Sequence, residues 1–207
     1  GKDMVFALDG GIYVAGSVIT WMKDKMHLIS DAKETGELAE SVPDTAGVCF
    51  VPALTGLAAP YWDPYARGML IGITPGTERA HVVRAALESI AYQVRDILDL
   101  MEMDSGIRIR AMRVDGGITA NEFLMQFQAD ILGIPVDVPE ISETTALGFK
   151  DLDEIEANWK LKKRYYPKMS EKEREKKMRM WHRAVARAKE WVEEEETDGP
   201  ELTGEFD

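Results

Sequence analysis

One apolar stripe constrains this chain more than any other feature. Val83, Leu87, Ile90, Val94, Ile97 and Met101 recur at alternating steps of four and three. That spacing gathers their side chains on one face of a helix and scatters them on a strand. A helix apolar along its whole side must be covered along its whole side, so other elements have to lie against it. Gly106 follows as the expected stop.

The covering elements are predicted on both sides. Met4–Leu8 and Ile12–Val14 are apolar and partly β-branched, broken by Gly10 and Gly11, like a hairpin or bulged strand. Gly16 opens a helix with Ile19, Met22 and Met26 on its apolar side. Val48–Val51 and Met69–Ile73 read as buried strands, with the turn-rich Pro60–Tyr65 between them. Ile107–Val114 reads as a strand, and Asp115-Gly116-Gly117 follows it. Thr119 and Glu122 match a capping box ahead of a helix carrying Phe123, Leu124, Phe127 and Ile131. Gly133 and Pro135 end that helix, and Val136–Val138 is a short strand. Ser170 and Glu173 match a second capping box, before a helix with Met178, Trp181, Val185, Ala188 and Val192 on one face. Strands and helices mixed in this order predict an α/β fold. Continuous apolar strand runs fit a parallel sheet covered by helices.

With 207 residues and 45% hydrophobic residues, the chain can bury a core of one domain, or one and a fraction. Charge shifts along it. Residues 1–148 are even in composition and read as the folded α/β unit. Residues 149–196 are dense in Lys, Glu and Arg and read as a helical C-terminal extension. Residues 197–207 read as a disordered tail.

Net charge is −12, from 25 basic and 37 acidic residues. That argues against nucleic acid as a partner, which needs a basic face, and against anionic lipid. No apolar run approaches the roughly 20 residues of a membrane span. No basic segment leads into an apolar core at Gly1–Met4, so no signal peptide is expected. A single cysteine, Cys49, makes no internal disulfide. The expected location is cytoplasmic.

Asp115-Gly116-Gly117 lies between a strand and a helix start, where open α/β folds bind ligands. Glycines let a backbone approach a bound group, and a helix start offers N–H groups and the positive end of a dipole. Asn121, in the first turn, could meet a ligand's polar edge. The same residues also fit a tight turn with no ligand. Gly16, at another helix start, is a second point of close approach or a packing glycine, with Thr20 one turn on. His27, His81 and His182 have no metal spacing. Cys49 reads as a buried inert thiol, and Trp181 and Trp191 read as docking residues. The mixed-charge run 171–177 reads as a solvated face. No Gly-x-x-x-x-Gly-Lys-Ser/Thr loop is present, which excludes a P-loop enzyme.

Longer motifs carry a family resemblance. Gly68–Ile73, followed after seven residues by His81–Glu88, resembles the second signature of the FGGY carbohydrate kinases. Pro52–Gly68, Asp104–Arg108, Arg113–Gly117 and Phe123–Gly133 are similar to the branch of that family that phosphorylates glycerol. The resemblance implies the C-terminal lobe of an actin/hexokinase-like ATPase fold, built on ribonuclease-H-like topology. It implies ATP and Mg²⁺ as cofactors and transfer of the γ-phosphate to glycerol, giving glycerol 3-phosphate. The family's nucleotide contacts correspond to Gly16, Gly117 and Asn121. The family carries Gln where this chain has the shorter Thr20. A homo-oligomer is implied for the whole protein.

The same resemblance implies that the lobe is incomplete. The glycerol-binding residues and the catalytic aspartate of the family lie upstream of the segment matching Gly1, so no catalytic residue is assigned in this chain. No metal ligand is assigned either. Glu143–Gly148 runs straight into Phe149, roughly three helical turns shorter than the family pattern. Two alternatives stand beside glycerol phosphorylation: a non-catalytic nucleotide-binding module, and another FGGY sugar kinase.

Overall fold

The computed structural model describes residues 8–140 and 159–193. Its organiser is a helix of 27 residues, Arg79–Ser105. In chain order the elements are α1 (Gly16–Asp24), α2 (Glu34–Glu40), β1 (Cys49–Val51), β2 (Met69–Ile71), α3 (Arg79–Ser105), β3 (Met112–Arg113), a 3₁₀ turn (Gly117–Ala120), α4 (Glu122–Leu132), β4 (Val136–Pro139), β5 (Leu161–Tyr165) and α5 (Glu171–Ala188).

α3 carries the predicted stripe, with Val83, Leu87, Ile90 and Ile97 buried. It packs against α1, α2, α4, α5 and β1. Tyr92 sits at its centre. The ring stacks on Trp181 of α5 at 5.5 Å and meets Phe127 of α4 edge-on at 5.7 Å. Three helices therefore share one aromatic cluster, where burial of large rings stabilises the fold most per residue. Gly106 and Gly133 close α3 and α4 in left-handed conformations, as the sequence suggests.

The strands are short and fall into two sheets. β1 and β2 pair antiparallel, Cys49 opposite Ile71. β3 and β4 pair parallel, and β5 adds antiparallel to β4, giving the order β3-β4-β5. The expected all-parallel sheet is thus mixed, with a single parallel pair among the described strands. Ile107–Val114 yields only the two-residue β3. Leu8 and Ile12–Val14 form no strand, while Met4–Ala7 lie outside the described residues. Val14 is instead buried, its carbonyl accepting from Gln93 Nε2 at 3.2 Å.

The segment read as a helical extension contains a strand as well as a helix. β5 is exposed at four of its five positions. What fixes it is Arg164, whose guanidinium grips the buried Asp137 of β4 through two hydrogen bonds of 2.5 and 2.6 Å. α5 then lays Trp181, Ala184, Val185 and Ala188 into the core, with Ser170 and Glu173 forming the expected capping box. Trp181 is buried as predicted, whereas Trp191 and Met26 are exposed. The shortened stretch after Gly148 and the tail 197–207 lie outside the described residues.

Buried charge ties these layers together. Glu88 of α3, fully buried, accepts from Arg84 Nε at 3.0 Å, Tyr92 Oη at 2.8 Å and Lys177 Nζ of α5 at 3.3 Å. Arg84 also donates to the carbonyls of Ala39, within the last turn of α2, and Val42, beyond it. Cys49 is buried as expected, and burial pushes its thiol up to about 12, with Glu88 adding to the effect, which disfavours the thiolate.

Candidate functional site

Three helix starts and one glycine turn converge on one cleft of about 630 Å³. α1 begins at Gly16 and presents Ile19 and Thr20. The loop into α2 presents Ala32, and α2 itself Thr35 and Gly36. The 3₁₀ turn presents Gly117 and Ile118, and α4 begins beside it with Asn121. The sequence-derived candidates Gly16, Thr20, Gly117 and Asn121 therefore line the same space, although 101 positions separate Gly16 from Gly117.

The two glycines of the turn have different tasks. Gly116 has φ of 91°, a left-handed conformation that side chains rarely adopt. Gly117 opens the 3₁₀ turn in ordinary backbone geometry. A Cβ built on Gly117 meets no atom within 4 Å, nor does one built on Gly16. These two positions leave room at the wall of the cleft that any larger side chain would take up.

The cap of α4 also differs from expectation. Thr119 is not the N-cap, because its hydroxyl donates to the Gly116 carbonyl at 2.7 Å inside the 3₁₀ turn. Asn121 takes the role. Its side-chain oxygen accepts from Leu124 N at 3.0 Å, and its amide donates to Thr35 Oγ1 at 3.0 Å. Thr35, fully buried, donates in turn to the Ala32 carbonyl at 2.6 Å. The amide read as a contact for a ligand is thus partly committed to holding α2 against α4. The approach is close: a Cβ on Gly36 would lie 3.4 Å from Asn121 Oδ1. Thr35 and Gly36 carried no signal in the sequence, since a lone Thr-Gly pair has no periodicity to mark it.

Charge is unevenly placed. Asp31, Glu37, Glu40 and Glu122 border the cleft, with Lys33 as a basic counterpart. Glu122, in the first turn of α4, pairs with Lys163 Nζ at 2.8 Å. Among the described residues no group of three His, Cys, Asp or Glu could hold a metal. No described helix is long and apolar enough to cross a membrane.

With a mixed sheet, a long central helix and a glycine-lined cleft between helix starts in place, residues 1–149 match the FGGY family of carbohydrate kinases, C-terminal domain. The chain belongs to that family, and its fold is the actin/hexokinase-like ATPase fold. Within it, the chain is similar to proteins named glycerol kinase. It is 51% identical over 200 residues to that of Caldanaerobacter subterraneus, covering 91% of this chain and 40% of the relative. It is 52% identical over 197 residues to glycerol kinase 2 of Thermotoga maritima, covering 90% and 40%. The crystal structure of Plasmodium falciparum glycerol kinase with ADP matches at 38% identity and a TM-score of 0.77, over 84% of this chain and 37% of that one. Xylulose kinase from Lactobacillus acidophilus, at 24% identity and a TM-score of 0.70, shares the fold. The chain spans about 40% of the length of the curated relatives it matches.

Proposed function

We propose that this chain is the nucleotide-holding lobe of a kinase that phosphorylates glycerol to glycerol 3-phosphate with ATP. The observation that supports this best is the convergence of Gly16, Thr20, Gly117 and Asn121 on one cleft, in a chain about half identical to glycerol kinases. The cleft suits a nucleoside phosphate. Ile19, Ala32 and Ile118 offer apolar surface to a base. Gly117 lets the backbone approach the phosphates, and the starts of α1 and α4 favour their negative charge. The carboxylates of Glu37 and Glu40 keep phosphates away from the α2 side.

ATP supplies the transferred group, and this lobe binds and orients it. Phosphoryl transfer depends on positioning and charge stabilisation, so holding the nucleotide is itself a large part of the work. Mg²⁺ would be held by phosphate oxygens and water, as is usual for this ion, since the described residues provide no cage for it. The glycerol site and the catalytic aspartate belong, by resemblance, to the rest of the whole protein. A cytoplasmic location and a homo-oligomeric state belong to the same proposal.

Two measurements test it. Isothermal titration of ATP into the chain should show one saturable site, abolished or weakened at least about tenfold by Gly117→Val. The chain by itself should make no glycerol 3-phosphate above a no-enzyme blank, because a general base must lie within about 3 Å of the attacking hydroxyl. The whole protein should make it. Saturable ATP binding without glycerol-dependent ADP release by the whole protein would instead favour the non-catalytic module. ADP release with a different sugar would favour another FGGY kinase.

A further inference from the structure

The polar side chains of the glycine-lined cleft fall into two sets. One set is already engaged. Asn121 Oδ1 accepts from Leu124 N and its amide donates to Thr35 Oγ1, both at 3.0 Å, and Thr35 donates to the Ala32 carbonyl at 2.6 Å. Asp31 accepts from Lys33 N at 2.8 Å, and Glu122 pairs with Lys163. The other set is Thr20, Lys33, Glu37 and Glu40. Their side chains line the same cleft and make no hydrogen bond or ion pair among the described residues. All four are exposed, with their whole bonding capacity open to a ligand.

Position singles out two of them. Lys33 and Glu37 are four residues apart, and Lys33 already has helical backbone, with φ of −65° and ψ of −28°. Their side chains therefore leave α2 on one face, one turn apart. They follow directly on Ala32, part of the apolar surface offered to a base. Thr20 belongs to α1, and Glu40 lies a turn further from Ala32 and borders a neighbouring cleft as well.

A lysine ammonium only donates and a carboxylate only accepts. Adenine carries the matching pair on neighbouring atoms of its edge: its N6 amino group donates and its N1 accepts. We infer that Glu37 and Lys33 read the base of the nucleotide, Glu37 accepting from the N6 amino group and Lys33 donating to N1, so that the cleft selects adenine. This rests on the nucleotide reading of the cleft and assigns the residues that set its base. In the same pose hypoxanthine or guanine turns O6 towards Glu37 and N1–H towards Lys33. Both contacts then invert, acceptor against acceptor and donor against donor. A polar site rejects a near-isostere in this way, by leaving its own groups unpaired.

Titration calorimetry with three nucleotides tests it. The first is ATP. The second is purine riboside triphosphate, with hydrogen in place of the N6 amino group. The third is 1-deaza-ATP, with C–H in place of N1. Wild type should bind ATP about tenfold more tightly than either analogue. Glu37→Ala should erase the preference over purine riboside triphosphate and keep the preference over 1-deaza-ATP. Lys33→Met should do the reverse. Both positions are exposed, so both variants should melt as wild type does. A wild type that binds all three equally, or variants that leave both preferences intact, would overturn the inference and leave the nucleotide reading standing. A wild-type chain that binds none of the three would overturn the nucleotide reading itself.

Discussion

The side-chain amide of Asn121 donates to the hydroxyl of Thr35 at 3.0 Å, joining α4 to α2 across the wall of the glycine-lined cleft. One residue thereby caps a helix, fixes its neighbour and borders the candidate site. Asn121→Ala removes the cap and leaves the buried Thr35 short of a donor. The expected cost is about 1–2 kcal/mol in urea denaturation, with weaker ATP binding alongside. Thr35→Val removes the inter-helix bond and the bond to the Ala32 carbonyl but keeps the Asn121 cap of α4, and it should still lower ATP affinity. Equal affinity in Thr35→Val and wild type would show that α2 is not held in place by this bond.

Gly116 and Gly117 should respond differently to the same change. Gly117→Val meets no neighbouring atom and no positive φ, so the melting temperature should stay close to wild type while ATP binding falls. Gly116→Val forces a β-branched residue to φ of 91° and should cost about 1–3 kcal/mol. A Gly117→Val protein that stays folded and binds ATP normally would remove Gly117 from the site.

Gly16, Thr20, Gly117 and Asn121, proposed by resemblance, all line one cleft, while local pattern misplaced the cap of α4. Thr119 and Glu122 satisfy the capping-box spacing, yet the 3₁₀ turn consumes Thr119 and shifts the cap two residues on to Asn121. Spacing cannot separate two overlapping caps, because both offer a polar side chain three residues before a helical N–H. α3 was legible because four of the six stripe residues, Val83, Leu87, Ile90 and Ile97, are buried along one face. β5 was not, since four of its five residues face solvent and its side-chain anchors are long-range, Arg164 with Asp137 and Lys163 with Glu122. The antiparallel pairing of β1 with β2 was illegible for a related reason: apolar runs report burial and not direction.

Glu88 should be the most sensitive charged position in the described core. Glu88→Ala strips Arg84, Tyr92 and Lys177 of their common acceptor and leaves two cations beside a buried void. Breaking a buried pair in this way costs about 3–5 kcal/mol. Thermal melting of Glu88→Ala should show a large loss, or no cooperative transition. A loss within error of a surface substitution would mean that the network is solvated in solution.

His182 gives the fold a pH dependence of defined sign. Its Nε2 lies 2.8 Å from Asp96 Oδ1, and this hydrogen bond, with the charges of Asp96 and Asp99, raises its pKa above the ordinary value near 6.5 against a partial desolvation cost. A raised folded pKa means that the contribution is complete below about pH 6.5 and is lost as pH climbs through the folded value. The stability difference between wild type and His182→Gln should therefore be largest at pH 5.5–6 and shrink towards pH 8. A difference that grows with pH would mean that the pair is not charged in the folded state.

Asp96 also accepts from Tyr61 Oη at 2.6 Å and Trp181 Nε1 at 2.7 Å, and the latter partner is made 85 positions later. On a ribosome adding about 5–20 residues per second, α3 waits several seconds or more for the helix that covers it. Until Trp181 emerges, Tyr92 lacks its stacking partner, and Asp96 has neither its indole nor its imidazole. The long helix that organises the finished lobe is thus present early as an uncovered template, and the described core closes only once α5 has been translated.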